Sequence, residues 1–143
     1  MRIMVTGSRT WKNFDALNKG LAELWHKMGD PEDPILVHGG ALGVDRMSRD
    51  IWESRGWTCE EYKADWEGLG KKAGFVRNDE MLKSGIDHIV AFMDGPTPGT
   101  CDAFSKSYAL GIPRTMYELS DGQSTRVDCS NRAQFDKWKA SKK

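Results

Sequence analysis

The chain has 143 residues, of which 38% are hydrophobic and 29% are charged, a composition typical of one globular domain. Lys and Arg together number 21, and so do Asp and Glu, so the formal net charge is zero. Proteins that hold a DNA backbone usually carry a basic excess, and its absence argues against nucleic acid as the partner.

The three cysteines and three histidines are scattered, without a CxxC pair or the spacing of metal ligands. This pattern argues against a disulfide framework and a zinc site, and we expect neither a metal nor another cofactor. No apolar run is long enough to cross a bilayer, and the chain opens on a strand-like segment instead of a leader. We therefore expect a cytoplasmic protein without membrane contact.

The first half of the chain predicts three strands that alternate with two helices. Apolar runs predict strands over 2–6, 35–38 and 57–62. Apolar residues at three- and four-residue steps predict a first helix, capped by Asn13 and carrying Phe14 on its apolar face. The same spacing predicts a second helix that ends at Gly56.

The second half continues the alternation. "KADWEGLGKKAG" (63–74) predicts a polar loop, "FVRNDEMLKSG" (75–85) a helix, and "HIVAFMD" (88–94) a central buried strand. "GPTPGT" (95–100) predicts a turn, and "CDAFSKSYALG" (101–111) a helix. "PRTMYEL" (113–119) predicts a fifth strand, placed at the sheet edge because it begins with Pro113.

This alternation predicts an α/β fold: a Rossmann-like, mostly parallel sheet of about five strands with helices on both faces, in a single domain. The polar residues 119–143 predict a C-terminal extension, either an appended hairpin or helix or a partly loose tail. In such a sheet, ligands bind outside the carboxyl ends of the strands, so the residues that follow each strand are the candidates for a site.

The loops predicted at this edge share glycines, small polar residues and cations. Glycine lets the backbone approach an anion, a helix N-terminus attracts negative charge, and arginine can hold a phosphate through two parallel hydrogen bonds. The candidate ligand- and phosphate-binding residues are Gly7, Ser8, Arg9, Gly39, Gly40, Gly43, Lys72, Arg77, Asn78, Gly99 and Thr100. Trp11 and Trp66 lie in polar segments, where an indole can stack on a base or a sugar. Together these residues predict a pocket for a nucleotide-like small molecule.

Plainer interpretations stay open for the single motifs. "HGGALG" (38–43) is neither a GxGxxG fingerprint nor a P-loop, and it fits a tight turn as well as a phosphate loop. Asp45 and Asp102 each lie near the start of a predicted helix, where helix capping would explain them.

Four motifs, in this order, resemble the DUF2493 family, also called YspA-like or cpYpsA-related proteins of the SLOG superfamily: "MVTGSRTW", "VHGGALGVD", "ADWEGLGKKAGFVRNDEM" and "GPTPGT". The resemblance covers residues 1–118 and leaves 119–143 outside that domain. It implies a Rossmann-like fold that binds nucleotides or nucleotide-derived ligands, NAD-derived signals among them. Small members of the family are encoded by phages, and relatives pair as dimers, which implies a homodimer or a higher homo-oligomer.

The resemblance leaves three functions open. Related phosphoribohydrolases carry a PGGxGTxxE motif whose glutamate assists cleavage of the glycosidic bond, and Ala103 stands at that position here. The first hypothesis is therefore a binding protein, which senses or sequesters its nucleotide ligand. The second is a hydrolase of a nucleotide N-glycosidic bond that uses Asp45 or Asp102 as its carboxylate. The third is DNA binding of the DprA kind, which the zero net charge disfavours.

Overall fold

The structure, a computed structural model, describes residues 1–120 and 122–142 of the chain. Its strands are β1 (Arg2–Gly7), β2 (Ile35–His38), β3 (Cys59–Glu61), β4 (His88–Met93), β5 (Arg114–Ser120) and β6 (Gln123–Val127). Its α-helices are α1 (Phe14–Lys27), α2 (Val44–Ser54), α3 (Trp66–Leu69), α4 (Ala73–Leu82), α5 (Pro98–Ala109) and α6 (Arg132–Ala140). A 3-10 turn at Gly70–Lys72 joins α3 to α4.

The strands form one sheet in the order β3-β2-β1-β4-β5-β6. The first five strands are parallel, and β6 runs antiparallel to β5. The predicted α/β, Rossmann-like class with a mostly parallel sheet is therefore confirmed. The chain builds outward from β1 on one side and from β4 on the other, so the connections after these two strands lead to helices on opposite faces of the sheet. This arrangement leaves a crevice at the carboxyl ends of β1 and β4.

Residues that alternate along the central strands divide between two hydrophobic clusters. Ile3 and Val5 pack with apolar residues of α1 and α2, whereas Met4 packs with those of α4, α5 and α6. Both faces of the sheet are therefore covered by helices. This explains why all six residues of β4 are buried and why the five that follow His88 form a continuous apolar run.

Strand β5 is not an edge strand, and the expectation drawn from Pro113 was wrong. β5 pairs with β4 on one side and with β6 on the other. Pro113 precedes the strand, so its missing N–H removes no bond from the ladder, and its carbonyl oxygen accepts a hydrogen bond from Ile89.

The C-terminal segment supplies β6 and α6. The expected boundary after residue 118 falls within β5, and Asp121 and Lys143 of the extension lie outside the described residues. Asn131 and Gln134 form a capping box at the start of α6. Phe135 is fully buried in the same cluster as Met4, so α6 contributes to the core of the sheet domain.

Several helix ends differ from the sequence predictions. The expected loop at 63–74 contains α3, whose N-cap Asp65 accepts a hydrogen bond from the Gly68 amide, and the 3-10 turn. The expected turn at 95–100 includes the first turn of α5, which begins at Pro98 because proline suits the first position of a helix. Phe14 is 48% exposed, and Leu17 is the first buried residue of α1.

The predicted caps are confirmed at two helices. The Asn13 side chain accepts a hydrogen bond from the Ala16 amide at the start of α1. Gly56, just after α2, has φ +76°, a left-handed conformation that favours glycine.

In the part of the chain that the structure describes, no helix combines the length and the apolar character needed to span a membrane.

Candidate functional site

A cavity of about 350 Å³ lies at the carboxyl ends of β1 and β4, where the topology leaves the crevice. This volume is within the range of small-molecule sites in proteins. Of the residues singled out from the sequence, the cavity lining contains Gly7, Arg9, Asp45, Trp66, Arg77, Asn78, Gly99 and Thr100. The loops predicted to share this edge of the sheet therefore border one cavity, and eight of the candidate residues line it.

Arg77, on α4, is held in place by two neighbours. Its Nη1 donates to the carbonyl oxygen of Gly39 at 2.8 Å, and its Nε donates to Oδ1 of Asn78 at 3.3 Å. A Cβ atom at Gly39 would overlap Nη1, so the absence of a side chain there lets the guanidinium rest on the loop between β2 and α2. The guanidinium is thus a positioned cation on the cavity wall, with further N–H groups available to an anion.

Asn78 links Arg77 to the start of α5. While its Oδ1 accepts from Arg77, its Nδ2 donates to the carbonyl oxygen of Gly99 at 3.0 Å. The N-cap of α5, Thr97, makes no side-chain capping bond, and Gly99 and Thr100 of the first turn line the cavity. The positive end of the α5 dipole therefore borders the cavity, which favours a negatively charged group there.

Asp45 is a buried carboxyl in the cavity lining. Its Oδ2 accepts hydrogen bonds from the amides of Gly39 at 3.1 Å and Ala41 at 3.3 Å, and so holds the loop between β2 and α2. Burial raises the pKa of Asp45 to about 6, although those amides and the positive charge of Arg77 act in the opposite direction. The group can therefore change its protonation state near neutral pH.

Asp102 is placed differently. Oδ1 of Asp102 forms a salt bridge with Nζ of Lys106 at 2.9 Å. The same Nζ lies 2.7 Å from a carboxylate oxygen of Asp79. Asn78 lies 3.4 Å from its other oxygen. Asp102 is absent from the cavity lining, so the structure gives it a role in joining α4 to α5.

Trp11 and Ser8, which follow β1, are both buried outside the cavity lining. The Trp11 ring packs edge-on against Phe92, and its Nε1 donates to a carbonyl oxygen of the loop before α1. Ser8 Oγ accepts a hydrogen bond from the Asp94 amide at 2.8 Å and so ties the β1 loop to the β4 loop. Ser8 therefore joins the two loops, whereas Trp11 packs in the core, where its ring is not exposed to a ligand in the cavity.

The remaining glycines of "HGGALG" have separate roles. A Cβ at Gly43, where φ is +81°, would lie 2.5 Å from the carbonyl oxygen of Ser8, so Gly43 lets two loops pack closely. Gly39 and Gly40 lie outside the cavity, along a groove of about 410 Å³ on the far side of Arg77. This groove is called the outer groove below, and its lining shares Arg9, Ala41, Trp66 and Arg77 with the cavity.

Lys71, and not the predicted Lys72, lines the cavity. The 3-10 turn that carries both lysines was not expected, so the direction of each side chain was not readable from the sequence. Phe75 and Met81 of α4 were also missed as lining residues. Their helical spacing predicts a core face, but Phe75 is 39% exposed at the cavity rim.

Trp66 is half-exposed and stands between the cavity and the outer groove. A Cβ at Gly74 would lie 3.3 Å from its ring, so Trp66 lies close to the backbone at the start of α4. An indole in this position has a face available to a planar group.

Within residues 1–120 and 122–142, no group of three His, Cys, Asp or Glu residues could hold a metal ion.

Comparisons with known proteins agree with the fold and the motifs. A family model described as "YspA, cpYpsA-related SLOG family" matches residues 1–68. The "Gene 61 protein" of Mycobacterium phage D29 is 39% identical over 118 residues, which cover 78% of this chain and 92% of that protein.

The X-ray structure of TM1055, a structural genomics target, has a TM-score of 0.57 and 21% identity, over 79% of this chain and 71% of that chain. At this level of identity the likeness concerns the fold alone. The family match and the phage relative lead to one conclusion: the chain belongs to the YspA, cpYpsA-related SLOG family.

Proposed function

We propose that this protein binds a nucleotide or a nucleotide-derived ligand in the cavity at the carboxyl ends of β1 and β4. The observation that carries the proposal is the guanidinium of Arg77, which a hydrogen bond to the Gly39 carbonyl oxygen holds in place. It lies between the glycine loop that follows β2 and the N-terminus of α5, which has no side-chain cap. Arg9 and Lys71 add two further cations to the same wall. Among the described residues, neither Arg9 nor Arg77 forms a salt bridge, so both charges remain available to an anion.

The rest of the cavity suits the organic part of such a ligand. Val5, Phe75, Met81 and Pro98 contribute apolar lining, and Trp66 offers an aromatic face at the rim. An anion site next to an apolar and aromatic wall fits a phosphate joined to a base, and inorganic phosphate alone would leave that wall unused. The protein would then act as a sensor or a sequestering protein for its nucleotide.

Isothermal titration calorimetry with AMP, ADP and ADP-ribose tests this proposal. We expect micromolar or tighter binding of at least one of them, and Arg77→Ala to weaken it by about tenfold or more, because a charge-assisted bond to phosphate is lost. Arg49→Ala is the matched control, since Arg49 pairs with Asp50 on α2 and lies outside the cavity lining. Absence of binding by all three nucleotides, or equal affinities for wild type and Arg77→Ala, would overturn the proposal.

A nucleotide N-glycosidic-bond hydrolase is the second candidate, and Asp45 is the observation in its favour. Its carboxyl lines the cavity with a pKa raised to about 6, which suits acid–base chemistry near neutral pH. Asp102, paired with Lys106 outside the lining, has no such support. Against the candidate, the Asp45 oxygen already serves two loop amides, and Ala103 is buried where the related hydrolases carry their glutamate.

Chromatography after incubation with nucleoside monophosphates separates the two candidates. Free base that appears with wild type and not with Asp45→Asn would establish the hydrolase. Intact nucleotide after prolonged incubation, together with calorimetric binding, would leave the binding protein as the function.

A further inference from the structure

We propose that Asp102 is a positioning residue of the anion site: it orients the side-chain amide of Asn78, and that amide in turn holds the guanidinium of Arg77 on the cavity wall. Asp102 is absent from the cavity lining, so it acts on a ligand only through these two neighbours. The inference rests on the proposed function and adds to it a residue of α5 that sets the strength of the site.

The first support is the set of partners around the Asn78 amide. Asn78 is 3% exposed, so protein groups enclose its side chain. Its Nδ2 donates to the carbonyl oxygen of Gly99 at 3.0 Å and to Oδ2 of Asp102 at 3.4 Å. A backbone carbonyl and an ionised carboxylate can only accept hydrogen bonds, so the side of the amide that faces α5 must be its NH2 group.

The second support is the consequence of that orientation for Arg77. With Nδ2 turned to α5, Oδ1 of Asn78 is left to accept from Nε of Arg77 at 3.3 Å. The opposite orientation would place the amide oxygen against the two acceptors of α5 and the NH2 group against the Nε–H of Arg77. These contacts would be repulsive, and the negative charge of Asp102 adds to the penalty. Asp102 thus helps to select the amide orientation that holds Arg77.

The third support is the neutralisation of Asp102 by Lys106. Nζ of Lys106 lies 2.9 Å from Oδ1 of Asp102 and 2.7 Å from Oδ1 of Asp79. Burial acts to lower the pKa of Lys106, but its hydrogen bonds with the two carboxylates outweigh that effect and raise the pKa, so the lysine stays charged. A lone carboxylate near an anion site would repel the ligand, and this positive charge offsets the repulsion. Asp102 can therefore orient Asn78 without weakening the site.

Asp79 makes a matched control possible. It shares the lysine with Asp102, and it lies on α4 next to Asn78 in the sequence. Among the described residues, however, the Asn78 side chain bonds to Arg77, Gly99 and Asp102 and makes no hydrogen bond to Asp79. Removal of either carboxylate takes one negative charge from Lys106, but only removal of Asp102 frees the amide.

NMR spectra of the ligand-free protein test the inference at Arg77. In Asp102→Ala, we expect the Nε–H signal of Arg77 to move and to exchange faster with water, because the Asn78 amide is no longer fixed. Asp102→Asn, which keeps an oxygen for Nδ2 of Asn78, should restore the signal to near its wild-type position. Asp79→Ala should leave it unchanged. Alanine favours a helix, so the fold should persist in both alanine variants.

Calorimetry with ADP-ribose measures the effect on binding. Asp102→Ala should weaken binding about fivefold, a typical coupling within one hydrogen-bond network, whereas Asp102→Asn and Asp79→Ala should stay within about twofold of wild type. Asp102→Ala added to Arg77→Ala should weaken binding no further, because Asp102 acts through Arg77.

Three results would overturn the inference while the proposed function still stood. They are an Arg77 signal that is the same in wild type and Asp102→Ala, equal losses of affinity in Asp102→Ala and Asp79→Ala, and losses that add in full in the double variant. Failure of wild type to bind AMP, ADP and ADP-ribose would instead overturn the proposed function. The ligand-free spectra would then still decide whether Asp102 positions Arg77.

Discussion

The position of Arg77 depends on a glycine that lies 38 residues earlier in the chain. Because a Cβ at Gly39 would overlap Nη1 of Arg77, we predict that Gly39→Ala displaces the guanidinium. Nucleotide affinity should fall by about tenfold, the cost of a lost charge-assisted bond. The fold should persist because the arginine side chain can move aside, and far-UV circular dichroism together with calorimetry checks both expectations.

A double variant shows whether Gly39 acts through Arg77. If it does, Gly39→Ala combined with Arg77→Ala should bind no more weakly than Arg77→Ala alone, because substitutions that remove the same contact are not additive. Losses that add in full would contradict this account of the glycine.

The buried carboxyl of Asp45 predicts a pH dependence of binding. Its pKa is raised to about 6, and a bound anion would disfavour the ionised carboxylate and raise that pKa further. Binding therefore takes up a proton, and affinity for ADP-ribose should increase as the pH falls from about 7 to about 5. The pyrophosphate of this probe does not titrate in that window, so a calorimetric pH series reports the protein. Asp45→Asn should flatten the profile, and a flat wild-type profile would contradict the prediction.

At the scale of secondary structure elements, the sequence was informative where the apolar pattern was strong. The continuous apolar run of β4 and the periodic spacing of α1 both predicted the correct element. α3 was missed because it has only four residues, includes Gly68 and depends on the Asp65 cap. The sequence left β6 open, as an appended hairpin was one of three alternatives for the C-terminal extension. The reason is that "QSTRV" has one apolar residue, and its strand conformation depends on pairing with β5.

Helix α6 belongs to the folded core, and this predicts a large effect of one substitution. Phe135 is fully buried, with its ring centroid 5.2 Å from that of Phe104 on α5. Phe135→Ala should lower the free energy of unfolding by about 3–5 kcal/mol through lost contacts and a cavity. Lys137→Ala, at an exposed position of the same helix, should change it by less than about 0.5 kcal/mol. Urea denaturation measures both, and a loss below about 1 kcal/mol for Phe135→Ala would show that α6 adds little to the core.

At the scale of the whole molecule, the strand order brings together loops that are far apart in sequence. The loops after β1 and β4 meet through the hydrogen bond of Thr10 to Asp94, at 3.1 Å. Parallel topology alone predicts that these loops share an edge, and so the sequence could place the candidate residues there. It could not predict which side chains turn into the cavity: Ser8 is buried in loop contacts, whereas Arg9, the next residue, lines the cavity.

The net charge of zero conceals an uneven distribution. Arg9, Lys71 and Arg77 converge on one cavity, whereas many of the acidic side chains lie elsewhere on the surface. A local cationic wall of this size fits a small anionic ligand. The net charge of zero gives the protein no general attraction to a nucleic acid backbone. Composition alone could not reveal this local concentration of positive charge, which depends on the positions of the side chains.

An NMR titration of the wild-type protein with ADP-ribose shows where on the sheet domain the nucleotide binds. Backbone amide signals and the arginine Nε–H signals report where the ligand lies. We expect chemical-shift changes at the amides of Gly39, Gly99 and Thr100 and at Nε of Arg77. Changes centred instead on the amino ends of the strands, around Asp87 and Ile112, or no changes at millimolar ligand, would contradict this expectation.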